Sequence, residues 1–223
     1  MTRTPISETQ LPTYSKTEEI INSASHFAGC LFGIFVLISC LVFSIKKGNI
    51  YSVISSIIYG ASVMALYGMS GVYHSLKPSY AKRLFRIIDH SSVFILIAGS
   101  YTPILLCAVR MFDEKAAFLM FAAVWGVTFL GTAFNFIDLK KFTAFSIICY
   151  LTVGWLIILE IHPLYLFLGK KAIILLFAGG LCYTVGTGIY GIGKKKKYFH
   201  SVFHFFVLAG TIIHYILIRY YIL

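Results

Sequence analysis

The sequence predicts an all-α, polytopic integral membrane protein with seven transmembrane helices. Of the 223 residues, 59% are hydrophobic and only 12% are charged, which is more apolar surface than a soluble domain of this length can bury. The apolar runs are continuous rather than alternating, which is typical of membrane helices and not of membrane strands. Lysine- and glycine-rich breaks separate seven runs, at about residues 26–45, 50–73, 89–109, 116–134, 142–161, 172–193 and 199–219.

The chain divides into a polar tail, residues 1–18, and a single seven-helix membrane domain, residues 19–223. The tail lacks the basic, apolar and small-residue pattern of a cleavable signal peptide, so we expect the first apolar run to direct insertion. The five cysteines are scattered within the apolar runs and form no Cys-x-x-Cys pair. We therefore expect them to pack in the bundle as free thiols.

The basic residues predict the orientation of the chain in the cell membrane. Seven spans place the two termini on opposite sides, and 12 of the 19 lysines and arginines fall on the side of the N-terminus. The positive-inside rule then predicts a cytoplasmic N-terminus and an external C-terminus. The basic residues behind the net charge of +11 are therefore expected to set the orientation of the chain and to contact lipid headgroups. We expect membrane lipids, and no nucleic acid, as partners.

Span counting also predicts which polar residues lie at the same depth. The second span ends near His74, the third begins near Asp89, and the seventh begins near His200. All three positions then lie at the cytosolic leaflet, although more than 100 residues separate the first from the last.

Three histidines at this level predict a metal site. His200 and His204 are four residues apart, so they project from one face of a helix, about 40° apart, and can share one ion. His74 would be a third ligand, and three nitrogen ligands leave a fourth tetrahedral position for water, as in catalytic zinc sites. The alternative is that each histidine is a hydrogen-bonded residue of the membrane interface.

Asp89 and Ser70 are the candidate catalytic residues beside these histidines. A carboxylate near the metal can accept a proton from bound water or orient a histidine, although Asp89 also fits a helix N-cap and a direct metal ligand. Ser70 lies one turn before His74 and can bind a substrate oxygen or bond back to its own helix. We expect His90 to face elsewhere, because successive residues on a helix point about 100° apart.

A polar stripe precedes the first apolar run. Glu19, Asn22 and His26 fall on one helical face, which indicates either support for the site or a solvated helix start. His214 lies about 15 Å along the helix from His204, too far to bind the same ion, and we expect it to bond to a neighbouring helix.

The same residues form a set that resembles the hemolysin III family. This family is the bacterial branch of the progestin and adipoQ receptor family, which includes the adiponectin receptors. The resemblance extends over nearly all of the chain beyond residue 16. It rests on the motifs E-x-x-N-x-x-x-H (Glu19, Asn22, His26), S-x-x-Y-H (Ser70, Tyr73, His74), I-D-H-S (Asp89), G-S-Y-T-P (99–103) and H-x-x-x-H (200–204).

The resemblance implies a function as well as a fold. It implies Zn2+ held by His74, His200 and His204, with Asp89 near the zinc-bound water and Ser70 beside it. Adiponectin-receptor relatives are associated with hydrolysis of the ceramide amide bond, so a zinc-dependent hydrolase of a lipid amide is expected. A pore-forming cytolysin, after which the bacterial branch is named, and a membrane sensor with structural zinc are the alternatives.

Overall fold

The computed structural model describes residues 4–193 and 196–223, so the predicted topology residues Arg3, Lys194 and Lys195 lie outside the described chain. Within it, the regular structure is entirely helical. The α-helices are α1 (Lys16–Lys47), α2 (Ile50–Ser75), α3 (Tyr80–Cys107), α4 (Glu114–Gly154), α5 (Ile161–Leu168), α6 (Lys170–Gly193) and α7 (Phe199–Leu217). Short 3-10 turns lie at Ile6–Glu8, Val109–Met111 and Leu156–Glu160, and a π-helical turn, Ile218–Ile222, follows α7.

The outer surface of the bundle is apolar. Leu31, Phe129 and Leu159 are each more than 60% exposed, as expected for side chains that face lipid instead of water. Six stretches of the described chain are long and apolar enough to cross a membrane. These features confirm an all-α, multi-pass membrane protein.

The fourth of these stretches contains two of the predicted spans. It runs over 55 residues, Glu114–Leu168, and includes both 116–134 and 142–161. Asp138 within it has a non-helical backbone (φ −160°, ψ 96°), and the Ser146 hydroxyl donates to Asn135 Oδ1 over 2.8 Å. In a straight helix these two residues would be about 16 Å apart, so the chain turns back at Asp138. The reversal favours two crossings, while the count of seven spans remains a prediction.

Capping explains why two helices begin before the predicted spans. Ser15 and Glu18 form a reciprocal capping box, so α1 starts at Lys16 and includes Glu19 and Asn22 in its first turns. Ser79 caps α3 by accepting the backbone N–H of Lys82 over 3.2 Å. Polar residues that hydropathy places outside the spans are therefore helical and held in a fixed register.

The helices of the site are brought together by close packing. Helix α1 lies against α2 at Gly29, where a Cβ would be 2.5 Å from Tyr67 Cδ1, so only glycine permits this approach. Gly48, with φ 68°, ends α1 and allows the tight turn into α2. Helix α7 lies next to α1 and α6. As a result the start of α1, the end of α2 and the starts of α3 and α7 share one end of the bundle.

Candidate metal centre

His74, His200 and His204 meet at this end of the bundle. The Nε2 atom of His200 lies 3.3 Å from Nε2 of His74 and 3.1 Å from Nε2 of His204. All three side chains are buried, and one nitrogen from each lies within 4.8 Å of the others. No fourth histidine, cysteine or carboxylate of the described chain joins the three within that distance.

This arrangement fits a zinc ion. Tetrahedral zinc with nitrogen ligands at about 2.0–2.1 Å requires neighbouring nitrogens about 3.3–3.4 Å apart, close to the separations observed. Nδ1 of His74 donates to Glu19 Oε2 over 2.6 Å, so in the neutral ring Nε2 carries the lone pair. Lone pairs that face one another repel unless a cation or a proton lies between them. Three ligands also leave the fourth position free, as in zinc sites that bind water or substrate.

The predicted polar stripe of α1 borders the histidines along its whole length. Glu19 accepts from His74 and, through Oε1, from the buried ammonium of Lys82 over 2.7 Å. Asn22 Oδ1 accepts from the hydroxyl of Ser201 over 2.6 Å. Glu19 and Asn22 thus bond to residues of α2, α3 and α7, which is more than a solvated helix start requires.

His26 completes the stripe. Its ring stacks on that of His204, with 3.6 Å between the centroids and 18° between the planes. Both of its nitrogens are buried and make no hydrogen bond within the described chain. An imidazole without partners in an apolar interior is costly, about 1–3 kcal/mol for each polar atom, unless a ligand or water binds there.

Asp89 lines the same cavity as His200 and His204. The ring of the next residue, His90, turns towards the Asp89 carboxylate. Nδ1 of His90 lies 3.3 Å from Asp89 Oδ2, and the Tyr190 hydroxyl lies 3.3 Å from His90 Nε2. His90 is not part of the histidine triad, as expected from its position, but its ring turns to the Asp89 carboxylate. The directions of two Cα–Cβ bonds differ by about 100°, but the side-chain torsions bring the ring back to the carboxylate.

A cavity of about 160 Å³ opens from the histidines into the bundle. Asp89, Ser70, His200 and His204 line one end of it, and the Ser70 side chain is buried there. Most other lining residues are apolar or aromatic and come from α2, α3, α4, α6 and α7, among them Leu66, Val93, Leu96, Ile97, Leu139, Ile147, Leu151, Tyr183, Phe203 and Val207. The cavity therefore suits an apolar chain with a polar group at the histidines.

His214 borders the far end of this cavity. Its Nε2 lies 3.2 Å from the carbonyl oxygen of Leu176 on α6, as expected for a bond to a neighbouring helix. Its ring packs on Gly179, where a Cβ would lie 2.1 Å from Cδ2. Trp155 and Tyr101 line the same region, so aromatic rings close the cavity at this end.

Two residues of the site have no counterpart among the predicted residues. Lys82 is buried and holds Glu19, whereas the sequence suggests only a topology signal. Tyr14 precedes the first helix and stacks on His200 with 4.9 Å between ring centroids. Lys82 is the third residue of α3, and the capping serine Ser79 before this helix is the sequence signal that could have placed it there.

Fold and site together define a class of protein: a multi-pass helical membrane protein with a buried histidine triad beside an apolar cavity. The profile of the haemolysin-III related family matches residues 14–215. This match covers nearly the whole chain, so the chain belongs to the haemolysin-III related family, and the resemblance drawn from its motifs is confirmed.

Individual relatives agree with this assignment. The chain is 37% identical to the hemolysin-3 homolog of Bacillus subtilis (strain 168) over 194 residues, 87% of this chain and 89% of the relative. It is 35% identical to hemolysin-3 of Bacillus cereus over 206 residues, 92% of each. It is also 26% identical to the human monocyte to macrophage differentiation factor over 199 residues, 85% of this chain and 81% of the relative.

Proposed function

We propose that the chain is a zinc-dependent hydrolase that cleaves an amide or related bond of a membrane lipid. The observation that carries this proposal is the position of the histidine triad at the end of an apolar cavity, with Asp89 and Ser70 lining the same end. A zinc ion bound there supplies a Lewis acid and lowers the pKa of a bound water to about 7. The remaining chemistry depends on residues of the chain.

The protein holds the three nitrogens in place before any ligand binds. Glu19 accepts the Nδ1 proton of His74, and Lys82 in turn holds Glu19, so the Nε2 lone pair of His74 points at His200. His200 and His204 are fixed one helical turn apart on α7. Partners of this kind set the tautomer and orientation of a histidine ligand.

Asp89 is assigned the proton transfer. Hydrolysis adds the oxygen of water to the carbonyl carbon, breaks the C–N bond and moves one proton from water to the leaving amine. A carboxylate beside the triad can take that proton and return it to the amine nitrogen. His90 at 3.3 Å from Oδ2 orients the carboxylate, which lines the same cavity as the histidines.

Ser70 and His26 are assigned to substrate binding. Both line the cavity and carry buried polar atoms, and the two ring nitrogens of His26 have no hydrogen-bond partner in the described chain. A lipid with hydroxyl and amide groups next to its scissile bond would satisfy them, while its hydrocarbon chain fills the apolar part. We propose entry from the cytosolic leaflet, which follows from the predicted orientation of the chain.

The deciding experiment combines metal analysis with lipid turnover. Purified protein in nanodiscs is expected to contain one zinc and to release fatty acid from an N-acyl sphingoid lipid such as ceramide. His74→Ala should lose both zinc and turnover, whereas Asp89→Asn should keep zinc and lose turnover. His162→Ala, an exposed histidine on α5, is the matched control and should change neither.

Other results would select the alternatives. Zinc that is present at one equivalent, with no hydrolysis of lipid amides or esters, would indicate a structural ion that links α2 to α7. The hemolysin-3 name of the Bacillus cereus relative makes pore formation the second candidate. Dye release from liposomes that is equal for the unaltered chain and His200→Ala would favour a pore and remove support for a zinc enzyme.

A further inference from the structure

The segment before α1 lies across the end of the bundle that contains the histidines. This segment, residues 4–15, is the N-terminal strap. The guanidinium of Arg83 donates to the carbonyl oxygen of Thr9 over 3.0 Å, and that of Arg86 donates to the carbonyl of Gln10 over 2.7 Å. The backbone N–H of Thr4 donates to Asp138 Oδ2 over 3.3 Å. These bonds hold the backbone of the strap against α3 and the turn in α4.

Tyr14 at the end of the strap contacts the histidines directly. Its ring stacks on His200, with 4.9 Å between centroids and 25° between planes, and lies 5.7 Å from the ring of His74. Two of the three triad rings therefore rest against one aromatic side chain.

Tyr14 contacts two rings of the triad without lining the cavity. Residues on the cavity side include Ser70, Asp89 and His204, and Tyr14 is not among those of the described chain that line the cavity. His200 and His74 lie in the first and last turns of α7 and α2, at the end of the bundle where the helices leave the membrane. The Tyr14 ring is therefore positioned between the histidines and water.

We propose that Tyr14 is a positioning residue that closes the aqueous side of the metal centre. The N-terminal strap controls exchange of the metal with water, and the cavity remains the route for lipid. Closing this side excludes bulk water from the histidines and keeps the His200 ring in the orientation that directs Nε2 at its neighbours. The inference rests on the proposed zinc site but not on hydrolysis, because metal exchange is measured without substrate.

The test is the rate at which zinc-loaded protein in nanodiscs loses metal to excess EDTA, a chelator that does not cross membranes. Tyr14→Ala should lose zinc at least about tenfold faster, whereas Tyr14→Phe keeps the ring and should behave like the unaltered chain. Tyr80→Ala removes an exposed tyrosine at the same end of the bundle and should have no effect. The double variant Arg83→Gln, Arg86→Gln detaches the strap without altering Tyr14 and should also speed the loss.

A second measurement applies whether or not zinc is present. His200→Cys places a thiol under the Tyr14 ring, and its reaction with a charged methanethiosulfonate is followed by mass spectrometry. Adding Tyr14→Ala should raise the reaction rate of this thiol at least about tenfold. Equal rates with and without the ring in both measurements would overturn the proposal. Absence of zinc from the unaltered chain would overturn the proposed function alone, since the thiol measurement still decides the role of Tyr14.

Discussion

Glu19 Oε2 accepts the Nδ1 proton of His74 over 2.6 Å, although the two residues are 55 positions apart in the chain. A contact between the first turn of α1 and the last turn of α2 thereby fixes one ring of the histidine triad. Carboxylates that orient histidine ligands in this way increase metal affinity and select one tautomer.

The first prediction concerns this contact. Glu19→Gln replaces the charged acceptor with a neutral amide, so the affinity for zinc should fall by about 10–100-fold while the histidines remain. The measurement is a competition with a chromogenic chelator. Glu8→Gln, an exposed change in the N-terminal strap, is the control and should leave affinity unchanged. An unaltered dissociation constant in Glu19→Gln would show that the carboxylate does not support the metal.

The second prediction concerns the buried lysine. Lys82 Nζ donates to Glu19 and to the carbonyl oxygen of Leu76, over 2.7 and 2.8 Å. Lys82→Met leaves both acceptors without that donor. The free energy of unfolding should fall by about 2–3 kcal/mol. This is less than the loss for a fully buried ion pair, because Glu19 is partly exposed.

Thermal unfolding in detergent measures this loss as a lower Tm. Lys77→Met, which removes an exposed lysine from the same loop region, should leave Tm within about 1 °C. If Lys82→Met and Lys77→Met have equal effects, the ammonium contributes only general charge and no specific support to Glu19.

The third prediction concerns His90, which bonds to Asp89 and contacts Tyr190. His90→Phe keeps a ring in the cavity wall but removes the bond to the carboxylate. Lipid turnover should fall by about tenfold or more, with zinc content unchanged, because Asp89 loses its orientation but the three ligands do not. His90→Gln retains an N–H donor and should recover part of the rate. Zinc loss in His90→Phe would instead indicate that His90 supports the ligands.

The fourth prediction concerns the far end of the cavity. A Cβ at Gly179 would come within 2.1 Å of His214 Cδ2, so Gly179→Ala must displace the ring and should destabilise the bundle by about 1–3 kcal/mol. A Cβ at Gly188 on the same helix meets no atom within 4 Å, so Gly188→Ala is the matched control.

For the proposed enzyme, the displaced ring of His214 should also shorten the longest acyl chain that is hydrolysed. Rates for a series of acyl lengths measure this effect. A series that is unchanged in a folded Gly179→Ala protein would show that the substrate chain does not reach His214.

The convergence of the histidines could be predicted because it follows from the number of spans. Counting places the end of span two and the start of span seven at one membrane face, and the period of a helix places His200 and His204 on one side. The stripe of Glu19, Asn22 and His26 follows from the same period. These inferences require only the positions of the helices in the sequence and the membrane face at which each helix ends.

The residues that escaped prediction depend on side-chain torsions or on irregular backbone. His90 reaches Asp89 through its rotamer, which helical periodicity does not fix. Tyr14 is held by a segment whose carbonyl groups bind Arg83 and Arg86, and such bonds leave no periodic signal. Lys82 lies within a basic cluster, and composition alone does not distinguish the member that turns inward.

The contact between Glu18 and the backbone N–H of Tyr198, over 2.8 Å, joins the start of α1 to the start of α7 across 180 positions. During synthesis α1 is finished long before its partner emerges from the ribosome, and two of the three histidines of the triad are in that last helix. The centre is therefore assembled after every other helix has been made. For the proposed zinc site, bound metal would report completed assembly of the bundle, because an intermediate truncated before residue 199 has only one of the three histidines.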